Sequence, residues 1–198
     1  MEKVRNDIKK AVIKKDRLNV NFNESFTESN YTNGVSKSCD QIIHYDLRQA
    51  FDRLKVHLIA LCEQPEAERI NSASIQSPGF AETFPNYSIV GYSHSSQDAI
   101  DGVTIYGTKM LKSGGVINLD IWVPLSDSDY PYLDVLSLDI QACDWEVSEY
   151  LFSGKWGVKQ EMLDFEVDEP AEADLEEKPK KRGRKKKEET VRTIDIYA

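Results

Sequence analysis

The sequence predicts an α+β domain over residues 1–157 and a disordered, acidic-then-basic tail over 158–198. Three observations carry the fold class. Leu18-Asn19-Val20-Asn21-Phe22-Asn23 alternates strictly between apolar and polar residues, the period of a half-buried strand. Leu47, Phe51, Leu54, Leu58 and Leu61 recur at spacings of four and three, which puts them on one helix face. Three strand-like runs then follow with tight turns between them and no room for helical crossovers. The predicted order is ββ-α-βββ-α: an antiparallel sheet of about five strands with both helices on one face.

The elements follow in chain order. Asn33-Gly34 is the strongest hairpin signal, because both residues tolerate positive φ. It predicts an opening hairpin that ends near Ser38, although the loop can equally start near Glu28. A helix over 45–63 is widened by Ala50, Ile59 and Cys62, has Asp46 in its first turn, and stops at Gln64-Pro65. Residues 65–86, with Pro65, Pro78, Gly79 and Pro85, read as a long connection. Strands are predicted over 86–94, 103–111 and 116–125, turning at Asp101-Gly102 and at Ser113-Gly114-Gly115. In the last strand Ile117, Leu119, Ile121, Val123 and Leu125 oppose Asn118, Asp120 and Trp122. A second helix over 129–152 is capped by Asp127 or Ser128 and buries Leu133, Leu136, Ile140, Cys143, Val147 and Tyr150. Its acids are Asp134, Asp139, Asp144, Glu146 and Glu149.

Charge is segregated. The 198 residues sum to a formal net charge of -9. Residues 1–17 nevertheless hold seven bases against three acids. Residues 161–177 hold nine acids and no base, and 178–187 hold eight bases and no acid. Residues 188–198 carry -2, and the remainder, 18–160, carries -10. Like-charge blocks with few apolar groups cannot offset the entropy of ordering, which is why the tail reads as disordered. No apolar run approaches the roughly 20 residues of a membrane span, and the charged first residues do not resemble a signal peptide. The three cysteines, Cys39, Cys62 and Cys143, have no metal-type spacing, so a cytoplasmic, reducing setting is expected.

The candidate nucleic-acid-binding residues lie in two places. The first is the basic segment Lys178, Lys180, Lys181, Arg182, Gly183, Arg184, Lys185, Lys186 and Lys187. Its plainest reading is a polycation that releases counterions from phosphates. The second is the sheet face opposite the helices, where Tyr106 and Trp122 are placed to stack bases, joined by Tyr87 or Tyr92 according to register. Lys109 and Lys112 add positive charge there, and Asp120 opposes it. The bland alternative is cross-strand packing. The histidines His44, His57 and His94 show no ligand or triad spacing, and His57 reads as an edge-of-core residue. No catalytic residue, metal site or cofactor motif is visible, though triads are spatial and leave no fixed spacing.

Two resemblances add to this reading. Lys181-Arg182-Gly183-Arg184 resembles the core of an AT-hook, in which the glycine lies flat in an A·T minor groove and the two arginines reach along its floor. It departs from that pattern where Lys185 replaces proline. The same letters resemble a nuclear localisation signal. Over residues 40–160, the His44-x-Asp46-Leu47 helix start and the Glu149-Tyr150-Leu151-Phe152-x-Gly154-Lys155 helix end resemble small bacteriophage and prophage proteins without assigned catalytic residues. That resemblance implies an accessory role in DNA replication or recombination, inside a bacterial host. The leading expectation is therefore a non-enzymatic DNA-binding protein of unspecified strandedness, whose body forms a homo-oligomer or docks on a partner. The alternative is an interaction adaptor or inhibitor acting through the acidic helix.

Overall fold

The structure is a computed structural model that describes residues 4–77, 79–126 and 128–157. The predicted tail, with the whole basic segment, lies outside the described residues, and so does Asp127. The described part is α+β, in the order βββ-α-βββ-α. Six strands form one antiparallel sheet: β1 (Val4–Lys14), β2 (Arg17–Phe26), β3 (Tyr31–Cys39), β4 (Tyr87–Gln97), β5 (Ile100–Met110) and β6 (Val116–Pro124). Across the sheet they run β3-β2-β1-β4-β5-β6. Two three-stranded meanders thus meet at β1 and β4, which pair through Lys10↔Ser93, Ala11↔Tyr92 and Val12↔Gly91.

The prediction of five strands missed β1, the strand at the centre. Its alternation is broken by a bulge between Ile8 and Lys10, so Ile8, Ala11 and Ile13 meet the core out of simple period. Two turn assignments also move. Asn33 and Gly34 lie inside β3, paired with Glu24 and Asn23, and the loop falls between Phe26 and Tyr31, with Asn30 at φ 48°. Asp101 and Gly102 lie inside β5, and the turn before it is Asp98-Ala99, at φ 50° and 65°. The β1–β2 turn is the same type, Lys15-Asp16 at φ 50° and 60°. Both are two-residue turns with positive φ at each position, which twist with their strands. Neither contains glycine, so neither announces itself in sequence. The turn at Ser113-Gly114-Gly115 is found as expected, with Gly114 at φ 84°.

Gly102 has a different use. A Cβ there would fall 2.5 Å from the Trp122 ring, which lies across it. Gly91 allows the two meanders to meet: a Cβ on it would collide with the Ala11 carbonyl oxygen and approach Val12 Cα at 2.8 Å.

Both long helices cover one sheet face. Helix α1 (Tyr45–Leu61) starts where His44 Nδ1 accepts from the Asp46 amide at 3.1 Å. It buries Leu47, Phe51, Leu54 and Leu58, at about 2 kcal/mol for each aliphatic side chain. After the four-residue helix α2 (Ser72–Ile75), helix α3 (Leu133–Ser148) buries Leu136, Ile140, Cys143 and Val147, then widens into a single π turn at Glu149–Ser153. Helix α3 begins four residues later than predicted. Tyr132 is its N-cap and makes no side-chain cap bond, while Ser128 Oγ accepts from the Tyr130 amide one turn earlier.

The connection 65–86 is tied to β4 and β5. Tyr87 donates its hydroxyl to Glu66 at 2.6 Å, and Lys109 Nζ donates to the same carboxylate at 3.0 Å. These bonds, the tyrosine's first, hold Glu66 down to about 2 from its ordinary 4.5.

Two predictions follow from these contacts. Gly91→Ala forces a backbone collision and is expected to cost about 1–3 kcal/mol in urea unfolding, with an unchanged m-value. The Glu66 pairing stabilises the fold fully above 4.5, and that contribution fades as pH falls from there towards 2. Wild type should therefore exceed Glu66→Gln in stability at neutral pH, with the gap closing across that window in pH-dependent denaturation.

Candidate nucleic-acid interface

With the helices on one face, the other face of the sheet stays uncovered among the described residues. Alternation sends Lys10, Val12 and Lys14 of β1 to this side, together with Arg17, Asn19 and Asn21 of β2. From β5 come Thr104 and Tyr106, and from β6 come Asn118, Asp120 and Trp122. The centre of the face is a concavity of about 530 Å³ with mixed walls: Lys10, Lys14, Asn19, Asn21, Tyr106, Asn118 and Asp120 line it together with Val12, Val90, Gly107 and Leu119.

Tyr106 is half-buried at its edge. Its hydroxyl is 2.9 Å from Ser93 Oγ, and the Lys10 ammonium stands 5.1 Å from its ring centroid. The ring is thus held by a hydrogen bond to β4 and a cation–π contact from β1. Asp120 is its direct neighbour on β6, and Trp122 sits one pleat further on, opposite Thr104. The two aromatics expected on this face are therefore both here. Arg17 and Lys14 face each other across the β1–β2 turn, and Arg17 Nε reaches Asp40 at 3.2 Å.

Other expected members of the face are elsewhere. Tyr92 is fully buried on the helix side, opposite Ala11, and donates its hydroxyl to Asp144 at 2.7 Å. Burial pushes that hydroxyl well above its ordinary pKa, with Asp144 adding to the shift. Tyr87 and Lys109 are on the helix side too, at Glu66. The bulge between Ile89 and Gly91 decides which way the tyrosines of β4 point. The basic residues Lys178, Lys180, Lys181, Arg182, Arg184, Lys185, Lys186 and Lys187, with Gly183, lie outside the described residues.

The sequence reading missed the positive charge of the open face. The seven bases of residues 1–17 were legible, but not that their strand is central. Alternation from Lys10 to Lys14 was the available signal, hidden by the bulge.

The acids of α3 are mostly engaged. Asp139 Oδ2 accepts from His57 Nε2 at 3.1 Å, and the other nitrogen of that ring is 2.8 Å from the Tyr130 hydroxyl. His57 is 0% exposed, inside the core rather than at its edge. The donor order Tyr130 O–H to Nδ1, Nε2–H to Asp139 satisfies the whole chain. Asp144 is held by Tyr92 and by His94 Nε2 at 3.0 Å. Glu146 takes Lys155 at 2.7 Å, and Glu149 accepts from Ser153. That leaves Asp134 as an exposed acid rather than a five-carboxylate surface. The Tyr130–His57–Asp139 chain has the members of a relay, but its imidazole is sealed from solvent and it serves to join α1 to α3. Among the described residues no group of three or more His, Cys, Asp or Glu side chains is arranged to hold a metal. No helix among them is long and apolar enough to cross a membrane.

Trp122 carries one anomaly. Its Nε1 is buried and has no hydrogen-bond partner among the described residues. A buried unmade donor costs about 1–3 kcal/mol. Trp122→Phe keeps an aromatic ring over Gly102 and removes that donor, so thermal unfolding is expected to show stability unchanged or raised. Trp122→Ala should lower it, by uncovering Gly102. Comparison with protein-family models, with curated proteins and with solved structures finds no match to this chain.

Proposed function

We propose that this chain is an accessory nucleic-acid-binding protein that lays a single strand across the open face of its sheet. The observation that carries the reading is the pair of cations Lys10 and Lys14 in a concavity edged by Tyr106, with Arg17 and Trp122 on the same face. Cations track the phosphates and aromatic faces receive unstacked bases, which a duplex does not offer. Asp120 inside the concavity is a carboxylate acceptor suited to a base amino group and repels a phosphate at that point. The basic segment 178–187 adds sequence-independent phosphate contacts. The narrower role, beside phage DNA replication or recombination, rests on the sequence resemblance alone.

Fluorescence anisotropy with labelled single-stranded and duplex oligonucleotides at several salt concentrations tests the reading. Tyr106→Ala should weaken single-strand binding by about 1–3 kcal/mol. Lys10→Gln with Lys14→Gln should flatten the log–log salt slope by about 0.7 for each lost contact. Truncation after Glu177 should lower affinity while leaving the dependence on Tyr106. Binding that ignores Tyr106→Ala and disappears on truncation would assign the activity to the basic segment instead. In that case Arg182→Lys with Arg184→Lys separates groove reading, which loses its A·T preference, from simple charge.

A further inference from the structure

The two edges of the sheet differ in how they are protected. On β3 the exposed residues after Tyr31 at its start are small or polar, Thr32, Asn33, Gly34, Ser36 and Ser38, and Lys37 places a charge on the edge. A lysine on an edge strand is a common guard against pairing with another chain. The β6 edge is guarded less along its length: Val116–Pro124 has no lysine or arginine, one acid at Asp120 and a proline only at its last position, Pro124, and its pairing with β5 runs without a bulge. The exposed apolar side chains of this end gather here: Val116 is 62% exposed and Met110 55%, with Leu111 and Ile117 beside them.

The register fixes which backbone groups point outward. Leu111 donates its amide to Gly115, and Leu125 donates to Asp101. By alternation Ile117, Leu119, Ile121 and Val123 turn their amides towards β5, and Val116, Asn118, Asp120 and Trp122 turn theirs away.

We infer that the β6 edge pairs with the β6 edge of a second copy of this chain, antiparallel, about a two-fold axis at Leu119. The strand is self-complementary in that register. Asn118 faces Asp120 of the second copy, so a carboxamide N–H donates to a carboxylate, and symmetry repeats the contact. Asp120 does not meet itself, which a register centred one residue later would require. Val116 lies opposite Trp122 of the second copy, and Ile117 opposite its Ile121. The four outward amides find carbonyl partners. The two open faces then run on as one surface, which lengthens the track available to a bound strand.

Light scattering on the full chain during size exclusion tests this, with circular dichroism to check folding. The wild type should show twice the 22.6 kDa of the chain. Asn118→Pro removes an outward amide without touching the β5 ladder and should give a folded monomer. Val116→Lys, at an exposed position, should do the same by placing like charges against an apolar partner face. Ser36→Pro, on the β3 edge, should leave the dimer intact. A wild type that is monomeric throughout its soluble range overturns the inference. So does a dimer that survives both β6 variants, or one that dissociates only with Ser36→Pro.

Discussion

The three-residue pairing of β1 with β4 is the constraint on which the rest of the molecule depends. It is short, Lys10↔Ser93 to Val12↔Gly91, yet it converts two meanders into one sheet. The close approach at Gly91 sets how tightly β1 lies against β4. Ala11, facing Tyr92, leaves room for that large ring on the core side. Its neighbours Lys10 and Val12 face the other way by simple alternation. One register therefore determines both the packing under the helices and the composition of the open face. A slip of a single residue would send Lys10 into the core and Ala11 into solvent.

The core layer carries more polar structure than a small α+β body requires for burial alone. His57 joins Asp139 and Tyr130, and Asp144 joins Tyr92 and His94. Each chain ends on α3 and begins on a different element, α1 in one case and β4 in the other. Apolar contacts between two helices tolerate sliding, whereas these bonds have one geometry. Fully satisfied, they fix the rotation of α3 on the sheet. They also explain why a helix rich in acids can lie on a hydrophobic core. Lys155 completes the arrangement. Burial works against its charge, and the hydrogen bonds to Asp46 and Glu146 outweigh that and raise its pKa. One cation thereby links the start of α1 to the end of α3.

The parts of the fold legible in sequence are those where one period runs without interruption. The alternation in β2 and β6, and the 4-3-4-3 stripe of α1, placed their elements and faces correctly. Where a bulge interrupts the period, the reading failed: β1 was lost at Ile8/Lys10, and the tyrosines of β4 were undetermined across Ile89/Gly91. Glycine misled in a consistent way. Gly102 is in a strand because Trp122 lies on it, a reason that sequence separation conceals. The true turns use Lys15-Asp16 and Asp98-Ala99, residues that take positive φ under the demand of strand twist. The composition of the open face was half legible. Tyr106 and Trp122 were found by alternation, but their cationic partners were not, because the pairing of β1 with β4 spans a gap of some 80 residues and no local pattern reports it.

That placement changes what the net charge means. A sum of -9 over the chain sets the average field against a polyanion. Binding, however, responds to the local arrangement. The acids of α3 lie behind the sheet, on the far side of an apolar layer, and most are already bonded to His57, His94, Tyr92 or Lys155. The bases of β1 and the start of β2 lie in front. At about 0.1 M salt, charges more than about 10 Å apart through solvent are largely screened, so a strand bound as proposed would meet Lys10, Lys14 and Arg17 first. Arg17 is paired with Asp40, and Asp120 stands beside Tyr106, where a base rather than a phosphate would rest. On the proposed reading, the same segregation would make binding steeply dependent on ionic strength. Lowering the salt strengthens the frontal attraction and lets the acidic back be felt, so the two effects oppose each other only in dilute buffer.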